Sequence, residues 1–193
     1  MFQLRIHGRG GQGVVTAAEM VSIAAFEEGK HAQAIPSFGS ERTGAPVISY
    51  CRISDHLIRS REPVIVPDAI IIQDPTLLHA MDVFSGLQPN GFILINSTHT
   101  LEELGLTEKL KDVSPDHIAT VSATELSQKF LGRSLPNVPL LGGFAAISGV
   151  IKLESVVNAI NKKFKGKVAE GNIAAVTEAY NIVKAELKEI SHA

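Results

Sequence analysis

The densest chemistry in the sequence is the run GRGGQG, made of Gly8, Arg9, Gly10, Gly11, Gln12 and Gly13. It stands between an apolar stretch with strand character and a segment with helical spacing. A glycine turn in that position exposes backbone N–H groups beside the positive end of a helix, which is the arrangement that cradles a phosphate. A plainer reading gives the glycines only a tight turn and close helix packing. A dinucleotide site also needs an Asp or Glu at the end of the second strand, about 20 residues on, to hold a ribose. Here that stretch reads HAQAI and ends in Pro36, while Glu27 and Glu28 precede it on the wrong end. NAD is disfavoured for that reason.

A second decorated stretch is SFGSERTGAP, in which Ser37, Phe38, Gly39, Glu41, Arg42 and Thr43 precede Gly44. Its charged pair lies between two flexible glycines. If the strands on either side belong to a parallel sheet, this loop starts at the carboxyl edge beside the glycine turn, where open α/β sheets bind ligands. Residues 30–61 hold five basic side chains (Lys30, Arg42, Arg52, Arg59, Arg61) against two acidic ones (Glu41, Asp55), in a chain of net charge -2. That asymmetry suits an anionic ligand. The alternative is a surface ion pair between Glu41 and an arginine, worth ~0 to 1 kcal/mol.

Asp74, Asn96 and Ser122 close the strand-like runs IIIQD, FILIN and ATVS, which places them on the same edge as the glycine turn. They are site residues or helix caps; Asp74, followed by Pro75, has the pattern of an N-cap with Pro at the first helical position. The seven histidines show no HxxxH or HExxH spacing, so no catalytic metal site is expected. Cys51 lies in an apolar strand and reads as a small buried side chain rather than a nucleophile. No GxSxG, Walker A or paired-carboxylate arrangement is present, and no catalytic residue is assigned.

The elements that must position these residues follow from periodicity. Apolar runs alternate with helical spacing from the start, the signature of an α/β fold: a mostly parallel β-sheet flanked by helices on both faces, Rossmann-like and open. Strands are expected over 3–7, 31–35, 47–53, 69–73, 92–95 and 118–121, with helices filling the gaps. A helix over 13–28 carries Val14, Ala17, Ala18, Val21, Ala24 and Ala25 at spacings of three and four. The run LLGGFAAISGVI after Asn137 is apolar almost all round, so it is either buried within the domain or pressed against another chain. Amphipathic helices over 153–164 and 168–190 make a helical C-terminus.

The 193 residues, 45% hydrophobic and 20% charged, describe a single domain over 1–193. With 18 Lys and Arg against 20 Asp and Glu, nothing draws the chain to nucleic acid or an anionic membrane. One cysteine excludes an internal disulfide and any iron–sulfur cluster held by this chain alone. The start shows no signal peptide and no run reaches the ~18 apolar residues of a membrane span, so a cytoplasmic location is expected.

GRGGQG, FGSERTGAP and the late NVPLLGG together resemble the gamma subunit of the 2-oxoacid:ferredoxin oxidoreductases, the pyruvate synthase family, over essentially the whole chain. ERTGAP looks most like the pyruvate branch. The resemblance implies a hetero-oligomer of anaerobic metabolism that converts a 2-oxoacid and coenzyme A to an acyl-CoA and CO2 and reduces ferredoxin. Thiamine diphosphate, Mg2+ and the iron–sulfur clusters would belong to partner subunits: thiamine-binding alpha and beta chains and a ferredoxin-like delta chain. This chain would hold no cofactor alone and would help bind coenzyme A through residues 8–13 and 37–44, with Arg9 and Arg42 as phosphate partners. The alternatives are the equivalent subunit acting on 2-oxoglutarate or a branched-chain 2-oxoacid, and, in another class, a free-standing nucleotide-binding or adaptor protein.

Overall fold

Strand β1 (Phe2–Arg9) sets the pattern of the sheet: Leu4 and Ile6 enter the main core on one face, while Arg5 and His7, two residues apart, are buried on the other. The computed structural model describes residues 1–36 and 43–192. β1 feeds directly into α1 (Val14–Glu27), whose small residues Ala17, Ala18, Ala24 and Ala25 are buried in that core with Met20 and Val21. There follow β2 (His31–Pro36), β3 (Pro46–Ser54), β4 (Ala69–Ile72), the single turn α2 (Leu77–Ala80), β5 (Phe92–Asn96) and β6 (Ile118–Val121). Four helices end the chain: α3 (Ala123–Leu131), α4 (Asn137–Ser148), α5 (Leu153–Lys163) and α6 (Gly166–Ile190).

The described strands form one sheet in the order β2-β3-β1-β4-β5-β6. It is parallel through β1, β4, β5 and β6, as the alternation of strands and helices predicts. β3 is reversed and pairs antiparallel with both β1 and β2. Since β1 and β2 both oppose β3, they run the same way. The segment after Pro36 therefore leaves from the carboxyl edge that carries the glycine turn, even though β1 and β2 never touch.

Helices α1, α4, α5 and α6 cover one face and close the main core. The other face is built on Ile70, Ile72, Ile93 and Ile95, and it is covered by α2 and by turns carrying Val83, Leu106 and Leu110. A helix is expected between β5 and β6, and the chain makes turns there instead. Thr100 and Glu103 exchange bonds as a capping box, at 2.8 and 3.3 Å, but Gly105 at φ +67° ends the turn before a helix can extend.

The apolar run after Asn137 becomes α4, in which residues 137–147 are all buried by this chain itself. Of the two expectations for this run, burial within the domain is the one found, and its apolar surface is not a face left for another chain. α6 lies over α4 with no room at Gly142, where a Cβ would overlap the carbonyl oxygen of Val176 and lie 2.9 Å from its carbonyl carbon. We expect Gly142→Ala to push the helices apart and cost about 1–3 kcal/mol, read as a lower denaturant midpoint at unchanged slope. An unchanged midpoint would refute this packing.

Candidate functional site

The glycine turn owes its shape to one side chain. Gln12 folds back so that its Oε1 accepts the Arg9 N–H at 2.8 Å, while its Nε2 donates to Asp74 Oδ2 at 2.8 Å. Gly11 at φ +92° and Gly13 at φ +70° take left-handed backbone that other residues adopt only with strain. Gly13 is also pinned from outside, since a Cβ there would lie 2.9 Å from Asn137 Cγ, and Asn137 Nδ2 donates to the Gly13 carbonyl at 3.3 Å. Gly8, near the end of β1, has the Val14 and Gln73 side chains over its Cα.

The second loop is zipped to the first. Gly10 N–H donates to the Ala45 carbonyl at 2.8 Å, Gly44 N–H to the Gly10 carbonyl at 3.0 Å, and Thr43 forms a bridge with Gly10. Thr43 is thus where the sequence places it, beside the turn. Ser37, Phe38, Gly39, Glu41 and Arg42 lie outside the described residues.

Arg9 is committed to this framework. Its guanidinium donates to Thr76 Oγ1 at 2.8 Å and to the Gly44 carbonyl at 3.0 Å, and Nε lies 3.3 Å from Asp74 Oδ2. Asp74 accepts from the Thr76 N–H and hydroxyl through Oδ1. Partial burial alone raises the Asp74 carboxyl, but the bonds from Thr76 and Gln12 and the charge of Arg9 outweigh it and leave the pKa below its usual value. Asp74 does cap the turn that leads into α2, with Pro75 first in that turn and the Thr76 N–H bonded to Oδ1, although the helix itself begins only after Thr76. Asn96 does cap a helix, but across the sheet: its Oδ1 accepts the Thr124 N–H at 3.2 Å and its Nδ2 donates to the Gln73 carbonyl at 2.8 Å. The Ser122 side chain makes no capping bond.

With those bonds made, the N–H groups of Gly11, Gly13, Val14, Val15 and Thr16 have no acceptor among the described residues. They border a cavity of about 320 Å3 lined by Arg9, Gly10 and Val47 as well. No acidic side chain stands in the first turn of α1. This is a concave set of donors at a helix N-terminus, the geometry that binds phosphate oxygens.

The basic excess over 30–61 is not gathered here. Lys30 donates to the Val150 carbonyl, and the buried Arg52 pairs in register with Gln3 and bonds its Oε1, both at the far edge of the sheet. Arg59 and Arg61 follow β3 at that same edge, and Arg42 lies outside the described residues. Cys51 is fully buried, which pushes its thiol up to about 12, as expected of a packing residue. Gln73 and Asn137 are missed by the sequence reading. Gln73 sits under the turn with neither amide atom bonded, and Asn137 opens the quoted NVPLLGG run.

Residues 3–182 match the pyruvate ferredoxin/flavodoxin oxidoreductase family. The chain belongs to that family. Among its relatives in the family is pyruvate synthase subunit PorC of Methanosarcina barkeri, 47% identical over 186 residues that make up 96% of this chain and 99% of that one. The common gamma subunit of the pyruvate/ketoisovalerate oxidoreductases of Pyrococcus furiosus is 43% identical over 190 residues, 98% of this chain and 100% of that one. The family fold is also seen in the crystal structure of pyruvate oxidoreductase subunit PORC from Thermotoga maritima, with TM-score 0.78 and 34% identity over 93% of this chain and 95% of that one.

Behind the turn, on the opposite face of β1, His7 Nε2 accepts from Arg5 Nε at 3.0 Å, which places the ring proton on Nδ1. Burial, then the charge of Arg5, lowers the His7 pKa to about 4. Because the folded value lies below the ordinary 6.5, the unfolded chain takes the proton first. The stability that neutral His7 allows is present above pH ~6.5 and is lost as pH falls from there towards 4, roughly 3 kcal/mol in all. His7→Gln keeps an acceptor for Arg5 and removes the titration. Its stability should fall less than that of the wild type between pH 7 and 4.5, and parallel losses would show that His7 is not the group responsible.

Proposed function

We propose that this chain is the gamma subunit of a pyruvate:ferredoxin oxidoreductase and that its part in the reaction is to hold coenzyme A at the active-site entrance. The observation that carries the reading is the group of unbonded N–H donors at the start of α1, opening on a cavity, in a turn to which Thr43, Gly44 and Ala45 are bonded. The diphosphate of coenzyme A matches those donors, and Arg42 adds a charge to them. Arg9, tied to Asp74, Thr76 and Gly44, serves by fixing the turn, with its remaining N–H groups free to meet a phosphate oxygen.

In the complex the chain works with thiamine-binding alpha and beta chains, a ferredoxin-like delta chain and ferredoxin, in the cytoplasm. Thiamine diphosphate with Mg2+ and the iron–sulfur clusters supply decarboxylation and electron transfer there. The one cysteine of this chain is buried, and among the described residues no group of three His, Cys, Asp or Glu could hold a metal. What this chain contributes is placement, which accounts for a large share of the barrier when two substrates must meet.

The Pyrococcus furiosus relative is named as common to pyruvate and ketoisovalerate oxidoreductases. A subunit shared by reactions with different 2-oxoacids is better suited to the substrate they have in common, coenzyme A, than to choosing the oxoacid. The same observation keeps a branched-chain 2-oxoacid as the second reading of the substrate.

Gly13→Val is a poor probe, since Asn137 already fills the space its side chain needs. Gly11 is better: among the described residues a Cβ there meets only Thr43 Cγ2, at 3.9 Å, and the strain of φ +92° is the main structural cost. In the assembled complex, Gly11→Ala and Arg42→Ala should each raise the KM for coenzyme A by about tenfold. Decarboxylation assayed without coenzyme A should stay near normal. Arg42→Lys should recover part of the loss, because the point charge survives without the bidentate fork. An unchanged KM in an intact Arg42→Ala complex would remove Arg42 from the site.

A further inference from the structure

Residues 55–68 join β3 to β4 with no helix or strand of their own. Connections longer than ~12 residues are uncommon in a compact domain and are usually functional. This one lies at the amino edge of the parallel strands, at the opposite end of the sheet from the glycine turn. Its return half is fixed in place. The buried Arg52 donates to the Pro63 carbonyl at 3.4 Å, Gln3 Nε2 to the Val66 carbonyl at 3.1 Å, and the Gln88 N–H to the Pro67 carbonyl at 3.0 Å, while the Val64 side chain is buried. Gly86 packs against the same stretch, with no room for a side chain, because a Cβ there would overlap the Ile65 carbonyl oxygen.

What this tethered segment holds outward is apolar. Seven large hydrophobic side chains are exposed among the described residues, and three of them fall within 57–66: Leu57 at 67%, Ile65 at 75% and Val66 at 43%. Single exposed apolar residues need no explanation, but three on one segment do. Between them stand Arg59 and Arg61, both exposed. Neither has a hydrogen bond or an ion pair among the described residues, and the neighbouring carboxylates of Asp55 and Glu62 pair with neither. Elsewhere on the surface such partners are found, as Lys162 finds Glu27 and Lys163 finds Glu19.

We infer that this segment docks the chain on another subunit of its oxidoreductase complex, and that the partner surface has an apolar centre for Ile65 and Val66 and a rim of carboxylates for Arg59 and Arg61. Aliphatic anchors beside arginines are the composition of an interface with an apolar core and a charged rim. The two free guanidiniums set the sign of the partner. A second copy of this chain meets that need poorly, because an isologous contact would bring the same two arginines from each copy to one patch. The backbone is already tethered, so little ordering remains to be done when the surfaces meet. Docked by this end, the chain keeps its glycine turn open at the other, whatever ligand the turn holds.

Sedimentation of the purified chain mixed with the remaining subunits of its complex tests the docking directly. Ile65→Asp/Val66→Asp and Arg59→Glu/Arg61→Glu should each weaken assembly by at least about tenfold, with the denaturant midpoint of the free chain unchanged because all four side chains are exposed. Added salt should weaken the wild-type complex as well. Phe26→Asp, at an exposed apolar position on α1, should assemble normally. Hydrogen exchange needs no variant: the amides of 57–66 should be protected in the wild-type complex and exchange faster in the free chain. Normal assembly of both double variants, an equal loss in Phe26→Asp, or exchange over 57–66 that is the same in the complex and the free chain would each overturn the inference. So would a dimer of the free chain that the two double variants split, since the surface would then belong to a second copy.

Discussion

A backbone N–H left without an acceptor must meet water or a ligand, and at the start of α1 this condition is imposed on several neighbouring residues together. What holds it there is Gln12, whose side chain bonds the N–H of Arg9 and the carboxylate of Asp74. Those bonds satisfy the outer part of the turn and leave its inner donors unbonded and pointing the same way. The rest of the molecule supports that arrangement. β4 carries Asp74 to the turn, and α4 brings Asn137 against Gly13. The reversed β3 returns the second loop to the same edge, where Gly44 and Ala45 seal the flank of Gly10.

Much of this framework was legible in the sequence because burial on both sides of the sheet forces nearly continuous apolar strands. IIIQD and FILIN can hardly be anything else. The direction of β3 was left open, although chain length contains it: the connection over 37–45 is shorter than the dozen or more residues a parallel crossover needs. The fate of the run after Asn137 could not be read in the same way. An all-apolar helix looks the same whether its cover is α6 or a neighbouring chain, and only the approach of Val176 to Gly142 decides it. The glycine turn was readable from local spacing.

The floor of the turn is polar where an ordinary core is not. Gln73 is 1% exposed with both amide atoms unbonded, directly below Gly8, and a buried amide in that state costs about 1–3 kcal/mol. On the other face the buried Arg5 is better provided for. Its guanidinium donates to the carbonyls of Val83 and Ser85 and to His7, so that a charge inside the sheet is met on several sides. Burial, the largest influence, still lowers its pKa, and His7 is held neutral next to it. β1 therefore carries a fixed cation on one face, while the unsatisfied amide of Gln73, just past the end of β4, lies against Gly8 on the other, next to the turn that presents the donors.

For a chain of net charge -2, anion binding would have to rely on local fields. Backbone dipoles suit that task better than a cluster of lysines, because they are fixed in direction by the fold and attract no other anion at a distance. The same economy explains why the chain can be a catalytic subunit without a nucleophile. Its one thiol is buried with a pKa near 12, and Asp74, the carboxylate joined to the turn, is occupied in holding it. A rigid seat for one substrate needs bonded side chains rather than reactive ones. The chemistry can then reside on whichever partner meets the bound molecule, provided that the seat does not move.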